Sequence, residues 1–207
     1  RRDGYGRQHQ FPIAGTDGDN LLTPDDIMAG TRPQGSVLVY DDDHYYMGSV
    51  IAEQLVADGC QVTLVTPDAR VASWTDYSLE QHRIQARLLE VGVDIVTSHE
   101  LQEINDDSVA VGCVYSGKSQ LLAVSSVVMV TSRLPDDSLY QELAATPDRL
   151  RAAGIKTFEP IGDCHGPATI AAAVYEGHRF ARELGEAVDE IPFRREITEL
   201  APGFELP

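Results

Sequence analysis

The stretch Ser36-Val-Leu-Val-Tyr-Asp-Asp-Asp-His-Tyr-Tyr-Met-Gly-Ser-Val-Ile-Ala-Glu-Gln-Leu-Val-Ala-Asp-Gly59 decides the fold. Ser36–Tyr40 is a short apolar strand and Asp41–His44 a polar loop. Tyr46–Asp58 carries Val50, Ile51 and Leu55 at helical spacing and stops at Gly59. A second apolar strand, Gln61–Thr66, is halted by Pro67, which cannot donate to a sheet. A helix over Ser78–Glu90 ends at Gly92, and Asp94–Thr97 reads as a third strand. Alternating stretches Glu100–Asn105, Ser108–Tyr115 and Gln120–Val124, with a Ser116–Gly117 turn, indicate antiparallel strands. Ser126–Thr131 is apolar throughout, the mark of a strand buried on both faces.

Further along, helices are expected near Asp137–Thr146 and Pro147–Ala153. A strand Thr157–Ile161 runs into Gly162–Asp163, and a long helix covers Pro167–Leu184. The tail from Ala187 is punctuated by Pro and charge. Alternating strands and helices followed by a meander and a returning strand describe an α/β fold. Its expected form is Rossmann-like, with a parallel sheet, helices on both faces and a β-meander. Residues 1–35 read as an irregular arm, broken at Gly4–Gly6, Pro12, Gly15–Asp19 and Pro33–Gly35. One short helix interrupts it over Pro24–Ala29, with Thr23 as N-cap, and stops at Gly30. So long an arm is expected to pack on something.

Composition narrows the function. Of 207 residues, 43% are hydrophobic, enough for a packed core and too many for intrinsic disorder. No apolar run approaches the ~20 residues of a membrane span. Lys and Arg total 16 against 33 Asp and Glu, and a net charge of −17 argues against nucleic-acid or membrane partners. Cys60, Cys113 and Cys164 lie far apart with no CxxC pair, which excludes a disulfide framework and a four-thiolate metal site and suggests a cytoplasmic location. The six histidines show no metal-binding spacing, so no metal site is expected. The chain opens at Arg1 without Met and reads as an excised piece.

In a Rossmann fold the first strand–turn–helix grips pyrophosphate through close backbone approach and the helix N-terminus. Here Gly48 takes the third fingerprint position, while Asp43 and Tyr45 stand at the first two. Asp41, Asp42 and Asp43 would face a dianionic ligand, and at ~5 Å and an effective dielectric of ~20 each contact repels by roughly 3 kcal/mol. An NAD(P) site at this loop is therefore not expected. Beyond the second strand, Asp68 and Arg70 are weak candidates for a ribose hydroxyl and a 2′-phosphate. Trp74 reads as a packing anchor or a contact for another domain rather than a stacking platform. Near the C-terminus, Gly162-Asp163 precedes a helix starting Ala168-Thr169-Ile170. The Asp163 carboxylate there either accepts from a ribose or ribityl hydroxyl, beside helix amides facing a phosphate, or caps a turn.

The runs Val37-Leu-Val-Tyr-Asp-Asp-Asp-His-Tyr-Tyr-Met-Gly48, Val130-Thr-Ser-Arg-Leu-Pro135 and Ile161-Gly-Asp-Cys-His-Gly-Pro-Ala-Thr-Ile-Ala-Ala-Ala-Val-Tyr-Glu-Gly-His-Arg179 resemble one family. It is that of the NADH:flavin oxidoreductases related to trimethylamine, dimethylamine and histamine dehydrogenases and to 2,4-dienoyl-CoA reductase. The opening Arg1-Arg-Asp-Gly-Tyr-Gly-Arg7 resembles the segment after that family's first nucleotide-binding strand, so the likeness covers essentially the whole chain. It implies an FMN- and 4Fe-4S-bearing barrel elsewhere in the polypeptide as this chain's partner, with self-association left open. It also implies that residues 1–35 belong to an FAD/ADP-binding domain, 36–130 form an inserted NAD(P)-type domain, and 131–207 return to the first domain. By the same resemblance Gly162 and Asp163 contact FAD or ADP, Thr169 lies near its phosphates, and Thr131-Ser132-Arg133 form a hinge between domains. The Asp41–Met47 loop departs from the reductase pattern and is closer to the amine dehydrogenases, which argues against NAD(P) use.

The expected function is the nucleotide-binding part of a flavoenzyme that oxidises or demethylates a small amine, inactive when isolated. Two alternatives stand beside it: an NAD(P)H-binding domain of a 2,4-dienoyl-CoA reductase-like enzyme, and a structural interaction module without catalysis.

Overall fold

The computed structural model describes residues 1–185, and the tail from Ala187 lies outside the described residues. The chain divides into two compact units, Arg1–Leu134 and a second beginning at Pro135.

The first unit is built on a parallel sheet. In chain order its elements are β1 (Leu21–Leu22), α1 (Pro24–Met28), β2 (Ser36–Asp41), α2 (Tyr46–Ala57), β3 (Gln61–Val65), α3 (Gln81–Glu90) and β4 (Asp94–Val96). A meander follows, β5 (His99–Ile104), β6 (Ser108–Cys113) and β7 (Ser119–Ala123), before β8 (Ser126–Val130) returns to the sheet. The strand order is β1-β8-β2-β3-β4, parallel at every pair, while β5-β6-β7 form a separate antiparallel sheet. The expected α/β class and parallel sheet are borne out.

Strand alternation sorts the core into two layers. Val37 and Val39 of β2, Val62 and Leu64 of β3, and Val128 and Val130 of β8 pack against Ile27 of α1, Ile51 and Leu55 of α2 and Leu88 of α3. Leu38, Tyr40, Val65, Val127 and Met129 turn the other way, onto Leu101, Val109 and Val111 of the meander and Ile13 of the arm. Helices therefore cover one face of this sheet, and the meander with the arm covers the other. With both faces occupied, β2 and β8 read as unbroken apolar runs.

Element ends differ from the sequence expectations where turns intervene. The helix expected from Ser78 begins at Gln81, because Ser73–Asp76 forms a 3₁₀ turn and Leu79 takes a left-handed conformation (φ 61°) before it. The arm contributes a strand that its Gly and Pro content conceals: Leu21 and Leu22 pair in parallel with Val127 and Val128. Thr23 then caps α1 in a reciprocal capping box with Asp26.

The second unit contains α4 (Ser138–Ala144), α5 (Pro147–Ala152), a 3₁₀ turn over Gly162–Cys164 and α6 (Ile170–Glu183). Tyr140 and Phe158 stack with centroids 5.3 Å apart. None of residues 135–185 is buried. The strand expected over Thr157–Ile161 is not formed. Ile161 is extended (φ −136°, ψ 156°), but the segment has no ladder partner among the described residues, and a strand exists only by pairing. The helix expected from Pro167 starts three residues later, where Thr169 is extended and its hydroxyl accepts from the Ala172 amide.

Candidate functional site

The crossing from β2 to α2 lies at the carboxyl ends of the parallel strands, beside β8, where the strand order reverses. Ligands of open α/β sheets bind at such points. The loop there is almost wholly withdrawn from solvent: Asp41, Asp42, Asp43 and His44 are all buried. Sequence reasoning has the three carboxylates facing a ligand; the structure corrects this, because each is turned inward and given partners.

Asp41 Oδ1 accepts from the amides of Asp43 and His44, both at 3.1 Å. The side chain lies flat on Gly48, where an added Cβ would fall 2.5 Å from the Asp41 Cγ. Gly48 thus serves a close approach, but by the chain's own carboxylate, over the backbone that a fingerprint glycine leaves bare for phosphate. Burial pushes the Asp41 carboxyl up to about 6, against the opposing pull of His44.

Asp42 binds the arm. Its carboxylate accepts from the Gln8 amide at 3.0 Å and the His9 amide at 2.9 Å, and its carbonyl accepts from the Arg7 amide at 3.0 Å. Gly6 permits this, since any Cβ there would collide with the Asp42 side chain. His44 Nε2 sits 2.8 Å from Asp42 Oδ1, a close charge contact set off the line of a good hydrogen bond. His44 itself adopts φ 60°, a left-handed conformation uncommon for a residue with a Cβ, and its Nδ1 meets the Thr66 hydroxyl at 3.3 Å. Burial disfavours the imidazolium, but Asp42, Asp41 and Asp68 together outweigh it and raise the His44 pKa.

Asp43 is neutralised by two arginines, Arg7 at 3.3 Å and Arg133 at 3.1 Å. Arg7 also donates from Nε to the Asp43 carbonyl at 2.6 Å and lies 4.2 Å over the Trp74 ring. Trp74 therefore anchors the arm's arginine, and its amide donates to the His44 carbonyl. Arg70 pairs with Asp76, and Asp68 accepts from Ser73 and the Ala69 amide, so both are engaged within their own loop. Arg7 was invisible to motif reading. The available signal was a loop of three acids in a buried position, which requires cations from elsewhere in the chain.

Of the residues singled out from sequence, Ser132 and Arg133 lie in this first unit. Ser132 donates its amide to the Tyr5 carbonyl, and Arg133 borders a cavity of about 590 Å³ that Thr23, Met47 and Val130 also line. Gly162, Asp163 and Thr169 come together in the second unit. Gly162 has φ 67°, a conformation natural to glycine, and an added Cβ would meet Ala173 of α6 only at ordinary contact distance, 3.7 Å. The exposed Asp163 carboxylate accepts from the Ala168 amide at 3.4 Å, just ahead of the Thr169 cap. Glu176, which sequence reasoning passed over, reaches back from α6 to the Gly162 amide at 2.7 Å and to His165 Nδ1 at 2.5 Å. The turn thus presents a carboxylate and a capped helix start, an arrangement able to take a hydroxylated, phosphorylated ligand.

Comparison with known proteins agrees with this architecture. The family described as OYE-like second alpha/beta domain matches residues 22–127, from β1 into β8. Dimethylamine dehydrogenase from Hyphomicrobium sp. (strain x) is 30% identical over 213 residues, covering 92% of this chain and 29% of its own length. The solved structure of histamine dehydrogenase from Rhizobium sp. 4-9 is 45% identical with a TM-score of 0.90, over 98% of this chain and 32% of that one. A 6-hydroxypseudooxynicotine amine oxidase from Pseudomonas geniculata N1 is 39% identical with a TM-score of 0.82, over 89% of this chain and 27% of that one. The chain thus spans about a third or less of the length of these relatives.

Proposed function

The chain belongs to the OYE-like second alpha/beta domain family, within the NADH:flavin oxidoreductases related to dimethylamine and histamine dehydrogenases, and from that membership we propose that it is the nucleotide-binding part of a flavin-dependent enzyme that oxidises a small amine. Likeness along nearly the whole chain to enzymes named for histamine and amine oxidation supports the substrate class. FMN and a 4Fe-4S cluster belong, on this reading, to the rest of the polypeptide.

Within the chain the two turn–helix corners have different fates. The corner after β2 is a vestigial NAD site: the observation that carries this is the Asp41 side chain resting on Gly48, where a pyrophosphate would need bare backbone. Occlusion by an inward carboxylate, more than repulsion at an open mouth, keeps a dinucleotide out. The corner before α6 holds FAD or ADP. Gly162 supplies the turn, the exposed Asp163 carboxylate accepts a ligand hydroxyl, and Thr169 fixes the helix start near the phosphates. Ser132 and Arg133 form the hinge, consistent with the assignment of residues 36–130 to an insertion and 131–207 to the FAD/ADP domain.

Titration with NADH tests the first part. Nicotinamide fluorescence is expected to stay unchanged up to about millimolar coenzyme, and micromolar binding would overturn the reading. For the second part, Asp163→Ala in the complete polypeptide is expected to lower FAD or ADP content per protein; unchanged content would reduce Gly162–Asp163 to a structural turn.

A further inference from the structure

We infer that Glu176 is a positioning residue for the nucleotide corner, acting through the Gly162–Cys164 turn to aim Asp163; this rests on the proposed FAD/ADP role of that corner. Glu176 is on the second turn of α6, the face that also bears Thr169, Ala172 and Ala173. Its two carboxylate oxygens reach both ends of the turn. Oε2 accepts from the Gly162 amide at 2.7 Å, and Oε1 meets His165 Nδ1 at 2.5 Å. Inside this bracket, the Gly162 carbonyl accepts from the amides of His165 and Gly166, each at 3.0 Å. Asp163 follows the anchored glycine directly, so the plane that Glu176 imposes on Gly162 sets where the Asp163 carboxylate points.

Two facts make this more than a surface ion pair. Gly162 is left-handed and the turn buries no side chain, so packing does not hold its shape. The segment leading into it, residues 155–161, has no strand ladder among the described residues to fix it from the other side. A tether from α6 to the Gly162 amide is then the contact joining the turn to the same helix whose N-terminus faces the ligand. The His165 contact followed by the Gly162 amide holds the Glu176 carboxyl below its ordinary value. Alanines at 172 and 173 keep the gap between helix and turn narrow enough for Glu176 to span.

The test is a double-mutant cycle in the complete polypeptide, with ADP affinity measured by calorimetry on nucleotide-depleted protein. Glu176→Ala is expected to weaken ADP about tenfold, while Glu176→Gln, whose amide oxygen still accepts from Gly162, stays within about threefold of wild type. In an Asp163→Ala background the Glu176→Ala effect is expected to vanish. Persistence of the full effect there would overturn the inference while leaving the nucleotide site intact. A wild-type affinity for Asp163→Ala alone would overturn the site itself. Should Glu176→Ala not accumulate as folded protein, Glu176→Met takes its place in the cycle. Hydrogen exchange of unsubstituted protein reads the tether independently: a Gly162 amide protected about a hundredfold is expected, and random-coil exchange would overturn the role.

Discussion

The corner after β2 and the corner before α6 share one grammar, a chain passing through a tight turn into a helix, yet they satisfy it in opposite ways. At the first, four successive polar residues are buried, Asp42 and Asp43 face cationic partners from within the unit, and Asp41 Oδ2 is left without a hydrogen-bond partner. At the second, the acid is exposed and the turn hangs on a few contacts with a single helix. A buried polar network leaves little for a ligand to add, whereas an under-supported turn gains order when something binds. The difference separates a corner closed upon its own fold from one whose acid stays open to solvent, as the proposed nucleotide role requires.

Asp42→Ala should break the comparison most severely. It strips acceptors from the Gln8 and His9 amides and leaves buried His44 without its nearest counter-charge, a loss of about 3–5 kcal/mol. Urea unfolding should report it, and limited proteolysis should begin to cut within residues 6–10.

Next in size is Gly48→Ala. Inside an ordinary helix this change stabilises by up to ~1 kcal/mol, but here the new Cβ would stand 2.5 Å from the Asp41 Cγ, and a loss of about 2–3 kcal/mol is expected. A stabilised variant would show that Asp41 does not occupy that surface.

The acidic loop should also give the first unit an unusual pH dependence. Asp41 binds its proton more tightly folded, at about 6 against 3.8, so its contribution falls as pH rises from about 4 to 6. The His44 pKa is raised above 6.5, so its contribution is complete below that value and is lost as pH climbs through the folded one. The Asp41 contribution alone amounts to at most roughly 3 kcal/mol between pH 4 and 6. The measurement is the urea midpoint of wild type minus that of His44→Gln; if the difference does not shrink above pH 6.5, His44 is not held as a cation.

The smallest effect sharpens the contrast from the other side. Thr169→Ala removes the cap of α6 and should cost about 0.5–1 kcal/mol of helix stability, seen as faster amide exchange at residues 170–173. The unfolding midpoint of residues 1–134 should not move.

Much of the first unit was legible because its signals are local. β2, α2, β3, α3, β4, the meander and β8 each show in apolar periodicity ended by Gly or Pro, as at Gly59, Pro67 and Gly92. What escaped depends on distant partners. Leu21–Leu22 is too short to read and is a strand only because β8 lies beside it. Thr157–Ile161 shows the converse, a strand-like sequence with no ladder partner among the described residues. The acidic run misled because carboxylates are ordinarily exposed; its burial requires arm amides more than thirty residues earlier in the chain and Arg133 ninety residues later. At the proposed nucleotide corner Gly162, Asp163 and Thr169 could be picked out by type and order, while Glu176 could not, since its relevance comes from the helix folding back toward the turn.

The two extremities of the first unit are knotted to each other. The Arg1 backbone nitrogen donates to the Ser132 carbonyl at 2.6 Å, the Thr131 hydroxyl to the Arg1 carbonyl at 2.6 Å, and the Ser132 amide to the Tyr5 carbonyl at 2.9 Å. A module whose doorway in and doorway out are the same doorway can be spliced into a host chain without stretching it. Fusing its termini through a few glycines and reopening the ring at the Ser116–Gly117 tip should therefore yield a permuted protein that keeps this sheet, because so short a closure demands little chain entropy.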